Sequence, residues 1–276
     1  LDLLIAGRDL WPALEARLGI LIDRAGAAAV GGADFLARAD AGVRGLGLHP
    51  TLLPRRALAA MAPGLGEAFQ EGVLTREDWR IEPVRVLDAL RRAGAAAGVM
   101  FQPRAATGFE GAERLVIASG AGRDLGVVSP KLKHLVPIKG QLVRVKTEVS
   151  PGLVLRTEGA YAAATSEGLV LGATMEAGRE DRRVEPQAIA PLLEAGRRLF
   201  PATTNAPFTG HAGVRAATPD GLPMVGRGLH PGVLLAVGAR RNGWLLAPLV
   251  AAIIVACVTE GEAGSHAARL DPLRFD

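Results

Sequence analysis

Two arginines carry the clearest chemical signal in this chain. Arg215 lies in the string Gly213-Val-Arg-Ala-Ala-Thr-Pro-Asp-Gly-Leu-Pro-Met-Val-Gly226, and Arg241 in Val237-Gly-Ala-Arg-Arg-Asn-Gly-Trp-Leu-Leu-Ala-Pro248. Each stands near glycine in otherwise apolar sequence. A guanidinium is a planar fork that grips a carboxylate with two parallel hydrogen bonds. Asn242 and Gly243 follow Arg241 and open a long apolar stretch. A helix starting there would aim positive amide dipoles at negative charge. The pattern predicts a small carboxylate held beside a planar group that becomes anionic.

These residues must be positioned by buried elements. Arg114 to Gly120 and Val233 to Gly238 read as fully buried parallel strands, each ending at a glycine. Trp244 to Val258 reads as a buried helix after the second of them. Glu82 to Gly98 predicts an amphipathic helix, with Pro83 at its start and Gly98 past its end. Residues 1–18 read as one helix, residues 19–50 as short strands and loops, and 54–61 as a short helix. Pro137 to Lys146, Val154 to Arg156 and Gly168 to Thr174 alternate apolar and polar residues, which predicts antiparallel strands. Pro186 to Phe200 predicts a helix, and Phe208 to Val214 a further strand.

The fold class is therefore α/β, with parallel pieces flanking a mostly antiparallel insertion. Two discontinuous domains are expected. One takes 1–18, 76–130 and 210–276; the other takes 19–75 and 131–209.

Composition narrows the function classes. The chain has 276 residues, 49% hydrophobic and 22% charged, which suits a globular enzyme. Its net charge of +4 comes from arginines scattered in ones and twos, not from a basic stripe, so nucleic acid is not an expected partner. Cys257 is the single cysteine and lies in an apolar run. It excludes a disulfide framework and a cysteine metal cluster, and it suits a reducing cytoplasm. The Trp244–Val258 run falls short of the roughly 20 residues that span a bilayer. A homo-oligomer stays open.

Several strings occur together and in order. They are Leu115-Val-Ile-Ala-Ser-Gly-Ala121, Pro137-Ile-Lys-Gly-Gln141, Gly172-Ala-Thr-Met175, the two arginine strings above and Asp271-Pro-Leu-Arg-Phe275. Arg8-Asp-Leu-Trp-Pro12 and Asp78-Trp-Arg-Ile-Glu-Pro83 add to them. With these strings the chain resembles the D-amino-acid-oxidase family of FAD enzymes, and within it the glycine-oxidase subgroup of thiamine biosynthesis. The resemblance implies non-covalent FAD and a small amino-acid substrate such as glycine, sarcosine or a small D-amino acid. It implies hydride transfer to the flavin, with O2 as the final acceptor and an imine or keto acid and hydrogen peroxide as products. A link to thiamine thiazole synthesis follows from the same subgroup. No side chain is expected to act as acid or base in the hydride step.

The resemblance also assigns residues. Arg215 would pair with the substrate carboxylate and Arg241 would stand near substrate and flavin. Tyr161, the single tyrosine, would line the pocket with its hydroxyl, and Met175 would form its wall; for both, plain packing is the alternative reading. Ala118 and Gly120 would lie near the dinucleotide, and Gly213 and Val214 beneath the flavin ring. Asn242, Gly243, Trp244 and Leu245 would present helix amides to the pyrimidine edge of the flavin. The chain departs from the family pattern at Ala216, Ala239 and Arg240, where proline, histidine and an aromatic residue are usual.

The largest departure is the missing Gly-x-Gly-x-x-Gly turn that holds the FAD pyrophosphate. Gly31-Gly32 and Gly45-x-Gly47 do not read as a turn between a suitable strand and a helix. Two readings stay open: the turn precedes Leu1, as a helix already under way at Leu1 suggests, or the protein does without FAD. The retained arginines favour the first. A D-amino-acid dehydrogenase, a sarcosine-type oxidase and a flavin-free binding module remain alternatives. Cys257, inside its apolar run, speaks against covalent flavin attachment.

Overall fold

The computed structural model describes residues 1–275. In chain order the strands are β1 Ala27–Val30, β2 Thr51–Pro54, β3 Glu71–Thr75, β4 Leu115–Ile117, β5 Val136–Val145, β6 Val154–Thr157, β7 Ala160–Thr165, β8 Gly168–Gly172, β9 Glu176–Ala177, β10 Phe208–Ala217, β11 Met224–Arg227 and β12 Val233–Val237. The helices are α1 Asp2–Asp9, α2 Trp11–Leu18, α3 Ala33–Gly45, α4 Arg55–Met61, α5 Pro83–Ala96, α6 Pro186–Leu199, α7 Gly243–Thr259 and α8 Ala267–Leu270. The α/β class with a mostly antiparallel sheet matches the sequence expectation.

The strands form two sheets. The larger runs β10-β5-β8-β7-β6-β1-β3-β2, with β9 also on β5. It is antiparallel except where β1 meets β6. The smaller runs β11-β12-β4, and its β12–β4 pair is parallel.

One face of the larger sheet is closed by α4 and α6. Val143, Leu155, Ala162, Leu169 and Leu171 point there and meet Leu58, Ile189, Leu192 and Leu199. Each such side chain contributes about 1.5–3 kcal/mol on full burial. Alternate residues along each strand point to the opposite face. There α3 covers only the β1–β3 end, through Leu36 on Ala29 and Val73. The face over β5, β8, β7 and β6 is left for the site.

Strand β10 joins the two sheets. It pairs with β5 from Phe208↔Val145 to Ala217↔Val136. Its last residues, Ala216 and Ala217, are buried, and Ala216 packs with Ile117, Leu135, Leu235 and Val237 of the smaller sheet's core. The domain boundary expected at 210 thus falls inside a strand of the larger sheet whose last residues pack on the core of the smaller one.

Four local expectations need correction. Residues 1–18 form two helices, not one. Pro12 has no amide hydrogen to donate to the Arg8 carbonyl, and its ring crowds that position, so the helix breaks at Leu10. Within 19–50, residues Ala33–Gly45 are helical; the glycines at 31, 32, 42 and 45 hid an apolar face built on Leu36. Strand β4 is not fully buried: Val116 is 43% exposed, because β4 pairs on one side only. Helix α7 is also only partly buried. Leu246 and Ile253 pack with Leu3, Val225 and Leu270, while Val255, on its other side, is 59% exposed.

The C-terminal tail is clamped by Asp220. Its carboxylate accepts from Arg274 Nε at 2.7 Å and Nη2 at 3.1 Å, and from the Leu222 amide at 3.0 Å. The Arg274 bond, more than any other contact, holds the Asp220 carboxyl down at about 2, against an ordinary 3.8. A depressed folded value stabilises above the unfolded value and is lost as pH falls through the folded one. The side chain is 36% exposed, so solvent screening limits the contribution to about 1 kcal/mol. Asp220→Asn is expected to lower Tm at pH 7 by about 2–4 °C. The deficit should shrink as pH falls from 4 to 2, which a pH series of thermal melts reads directly.

Candidate functional site

A cavity of about 1110 Å³ lies between the open face of the larger sheet and the start of α7. Arg215, Tyr161, Met175, Arg241, Asn242, Trp244 and Leu245 all line it. Residues far apart in sequence are brought together because β10, β5, β8 and β7 are neighbours in one sheet.

Arg215 sits on β10 opposite Ile138 of β5. Its side chain reaches over the next rung of β5, across Gly140. A Cβ at residue 140 would stand 2.1 Å from Nη1 and 2.7 Å from Cζ of Arg215. The guanidinium therefore rests on bare backbone, and only glycine permits that approach. Arg215 is half-buried, and no carboxylate meets it among the described residues.

Tyr161 repeats the device from the other side. It pairs across the sheet with Gly172, and a Cβ at 172 would stand 2.7 Å from both Cζ and Oη of the ring. Burial raises the Tyr161 hydroxyl above its ordinary value, with Arg215 and Arg156 pulling the other way. The hydroxyl stays neutral and can donate a hydrogen bond. Met175 follows β8 and is 47% exposed on the cavity wall.

The opposite wall is the turn into α7. The Arg240 amide donates to the Ala216 carbonyl at 2.8 Å, which ties this turn to the residue after Arg215. The Asn242 amide donates to the Ala239 carbonyl at 2.8 Å. Gly243 opens the helix, and a Cβ there would meet only the Ala239 Cβ, at 4.0 Å. No described carboxylate pairs with Arg241.

Other expected residues are placed differently. Gly213 shares the face of Arg215, and a Cβ there would meet nothing within 4 Å. Val214 points to the other face. Ala118 and Gly120 lie just past β4, exposed and away from the cavity lining.

The far wall escaped the sequence reading as a site. Trp79 is held between the guanidiniums of Arg8 at 5.5 Å and Arg24 at 4.7 Å from its ring. Arg156, cross-strand partner of Tyr161, donates to Asp78 Oδ2 at 2.6 and 3.1 Å. Arg8 pairs with Glu77. The string Asp78 to Pro83 carried only a resemblance; no spacing rule brings it to Tyr161. The glycines at 140 and 172 were legible, because glycine inside an alternating strand marks a close approach.

FAD can be tested against this geometry. The ring end fits: a 17-residue helix presents its first amides to the cavity, with no side chain at residue 243. Among the described residues the pyrophosphate end finds no counterpart. Gly31-Gly32 do separate β1 from α3, contrary to the sequence expectation, because the short alanine strand β1 was not legible. Yet β1 pairs antiparallel with β3 and parallel only with β6, and α3 leads on to β2, which is not its neighbour, so this is not the strand–turn–helix of a parallel crossover where a dinucleotide binds.

Gly140→Ala is expected to displace Arg215 with little loss of stability, since the clash is with the end of a flexible side chain. Affinity for a small carboxylate such as glycine should fall about tenfold or more, as for a lost charged hydrogen-bond pair. Calorimetric titration beside a urea melt separates the two effects; unchanged affinity would show that Arg215 need not lie over residue 140.

Comparison with known proteins places this geometry. Glycine oxidase of Geobacillus kaustophilus is 31% identical over 244 residues, which cover 79% of this chain and 64% of that protein. Its crystal structure superposes with a TM-score of 0.80 at 27% identity, covering 100% of this chain and 83% of that one. The bifunctional protein ThiO/ThiG of Nostoc sp. PCC 7120 is 32% identical over 212 residues, 74% of this chain and 30% of that protein. The chain thus spans about a fifth to two thirds of the length of the curated relatives it matches. The profile described as DAO, FAD dependent oxidoreductase, matches residues 1–257. The chain belongs to the DAO family of FAD-dependent oxidoreductases.

Proposed function

We propose that this protein oxidises a small amino acid at its Cα–N bond, with FAD held non-covalently. One observation carries the reading: the guanidinium of Arg215 rests on Gly140 without a carboxylate partner, beside the neutral Tyr161 hydroxyl, and faces the start of α7 across the cavity. Bound FAD would supply a hydride acceptor and pass the electrons to O2.

The chain's own residues supply binding, orientation and field. Arg215 takes the substrate carboxylate in its planar fork. The Tyr161 hydroxyl donates a second hydrogen bond to the same group. Met175, Leu142 and Leu245 keep water from the reacting carbon. The amides at Asn242 and Gly243, with Arg241, favour negative charge on the flavin edge. With FAD bound, the substrate would give up hydride from its Cα to the flavin and a proton from its nitrogen, and the imine would add water to give the keto acid and ammonia, or methylamine from sarcosine.

In this reading 1–18, 76–130 and 210–276 serve the flavin, with β10 shared, and 19–75 with 131–209 serve the substrate. The packing of α1 on α7 through Leu3 and Leu246 supports that grouping. Relatives named ThiO/ThiG support a role in thiamine thiazole synthesis. Among the described residues no helix is long and apolar enough to cross a membrane, and the free Cys257 suits a cytoplasmic setting.

The test is a substrate panel on FAD-loaded protein. Glycine, sarcosine or D-alanine should bleach the flavin absorbance without oxygen and release peroxide with it. Bleaching without peroxide would turn the reading to a dehydrogenase. A protein that binds neither FAD nor any of the three would remove the enzyme reading.

A further inference from the structure

The cavity holds more positive charge than a monocarboxylate can match. Six arginines line it against three carboxylates, Glu77, Asp78 and Glu82. Glu77 and Asp78 are already bonded to Arg8 and Arg156. At the α7 end, Arg215, Arg240 and Arg241 all line the cavity, and the Arg240 amide bonds to the carbonyl of the residue after Arg215. None of the three has a carboxylate partner among the described residues.

Arg240 has a second peculiarity. Its φ is +52°, the left-handed region that glycine and asparagine occupy far more readily. An arginine there costs backbone energy. Arg240 lines the same cavity as Arg215 and Arg241, where its charge adds repulsion against theirs unless an anion separates them. A strained, unpaired, like-charged residue is poor for stability and good for holding an anion.

We propose that Arg240 forms a second anion subsite, and that the preferred substrate is a dicarboxylic amino or imino acid. Arg215 takes the carboxylate on the reacting carbon. Arg240 takes the second carboxylate, with Arg241 beside it. The inference rests on the amino-acid reading above and narrows its substrate class. Oxidation at the reacting carbon is unchanged, because the second carboxylate only binds.

Two matched pairs of ligands test it, each pair differing by one carboxylate: iminodiacetate against sarcosine, and D-aspartate against D-alanine. Calorimetric titration of the FAD-loaded protein, its flavin reduced beforehand and kept reduced under anaerobic conditions, reads binding without turnover. At least one diacid should bind about tenfold or more tightly than its monocarboxylate partner, as expected for an added charge-assisted pair. Arg240→Asn keeps a residue that tolerates positive φ. It should erase that preference and leave the monocarboxylate within about twofold, since only the second pair is lost. Added salt should weaken the diacid more than the monocarboxylate. Equal affinity within both pairs overturns the second subsite alone. A diacid preference that survives Arg240→Asn overturns the role of Arg240. Failure of all four ligands to bind overturns the subsite and the amino-acid reading together.

Discussion

Arg215→Ala is expected to lower kcat/KM by about 30- to 1000-fold, equivalent to about 2–4 kcal/mol. The loss should fall mainly on KM, because a carboxylate is bound alike in substrate and transition state. Stability should barely change. The guanidinium has no carboxylate partner to leave stranded, and it rests on the backbone of Gly140. Removing it relieves an unpaired, half-buried charge. Arg215 thus differs from Arg156 and Arg8, whose loss would strand Asp78 and Glu77. Steady-state kinetics with a urea melt decide the matter. An Arg215→Ala protein that unfolds easily but keeps its kcat/KM would make Arg215 a structural residue.

The second large effect is expected at the start of α7. Gly243→Val should weaken FAD binding by about 5- to 150-fold, the range of an overpacking cost of about 1–3 kcal/mol. The protein itself offers no clash, since the Ala239 Cβ at 4.0 Å is the nearest atom to a Cβ there. Valine is no poorer a helix former than the glycine it replaces. Any large effect must therefore come from what occupies the cavity. Fluorescence titration with FAD gives the affinity, and a dye-linked potential measurement reports on the reduced state. Normal affinity together with a normal potential would remove this helix end from the flavin.

The difference between these two sites shows which features sequence could carry. Arg215 and Arg241 were legible because a charged fork among apolar residues and glycines is costly without a ligand. The helix α5 from Pro83 and the helix α6 from Pro186 were legible through proline at the start and an apolar stripe. The alternation in β5 and β8 marked antiparallel strands. Helix α3 was not legible, because four glycines masked a stripe that only Ala29 and Val73 complete. The break between α1 and α2 turned on one missing amide, at Pro12.

Local pattern, then, determined most element types and marked the two arginines and the helix start that line the cavity. It did so because propensity, alternation and unpaired charge are properties of neighbours along the chain. Tertiary structure decided the cavity itself. Tyr161 meets Arg215 because β7, β8, β5 and β10 lie side by side, and Gly172 and Gly140 leave room between them. The wall of Asp78, Trp79 and Arg156 depends on ion pairs across 78 residues of sequence. Whether α7 and β4 are buried also depends on packing, since an apolar run records only that a residue tolerates burial. Strand order and cross-sheet ion pairs are long-range contacts, and no periodicity along the chain encodes which distant partner a residue will meet.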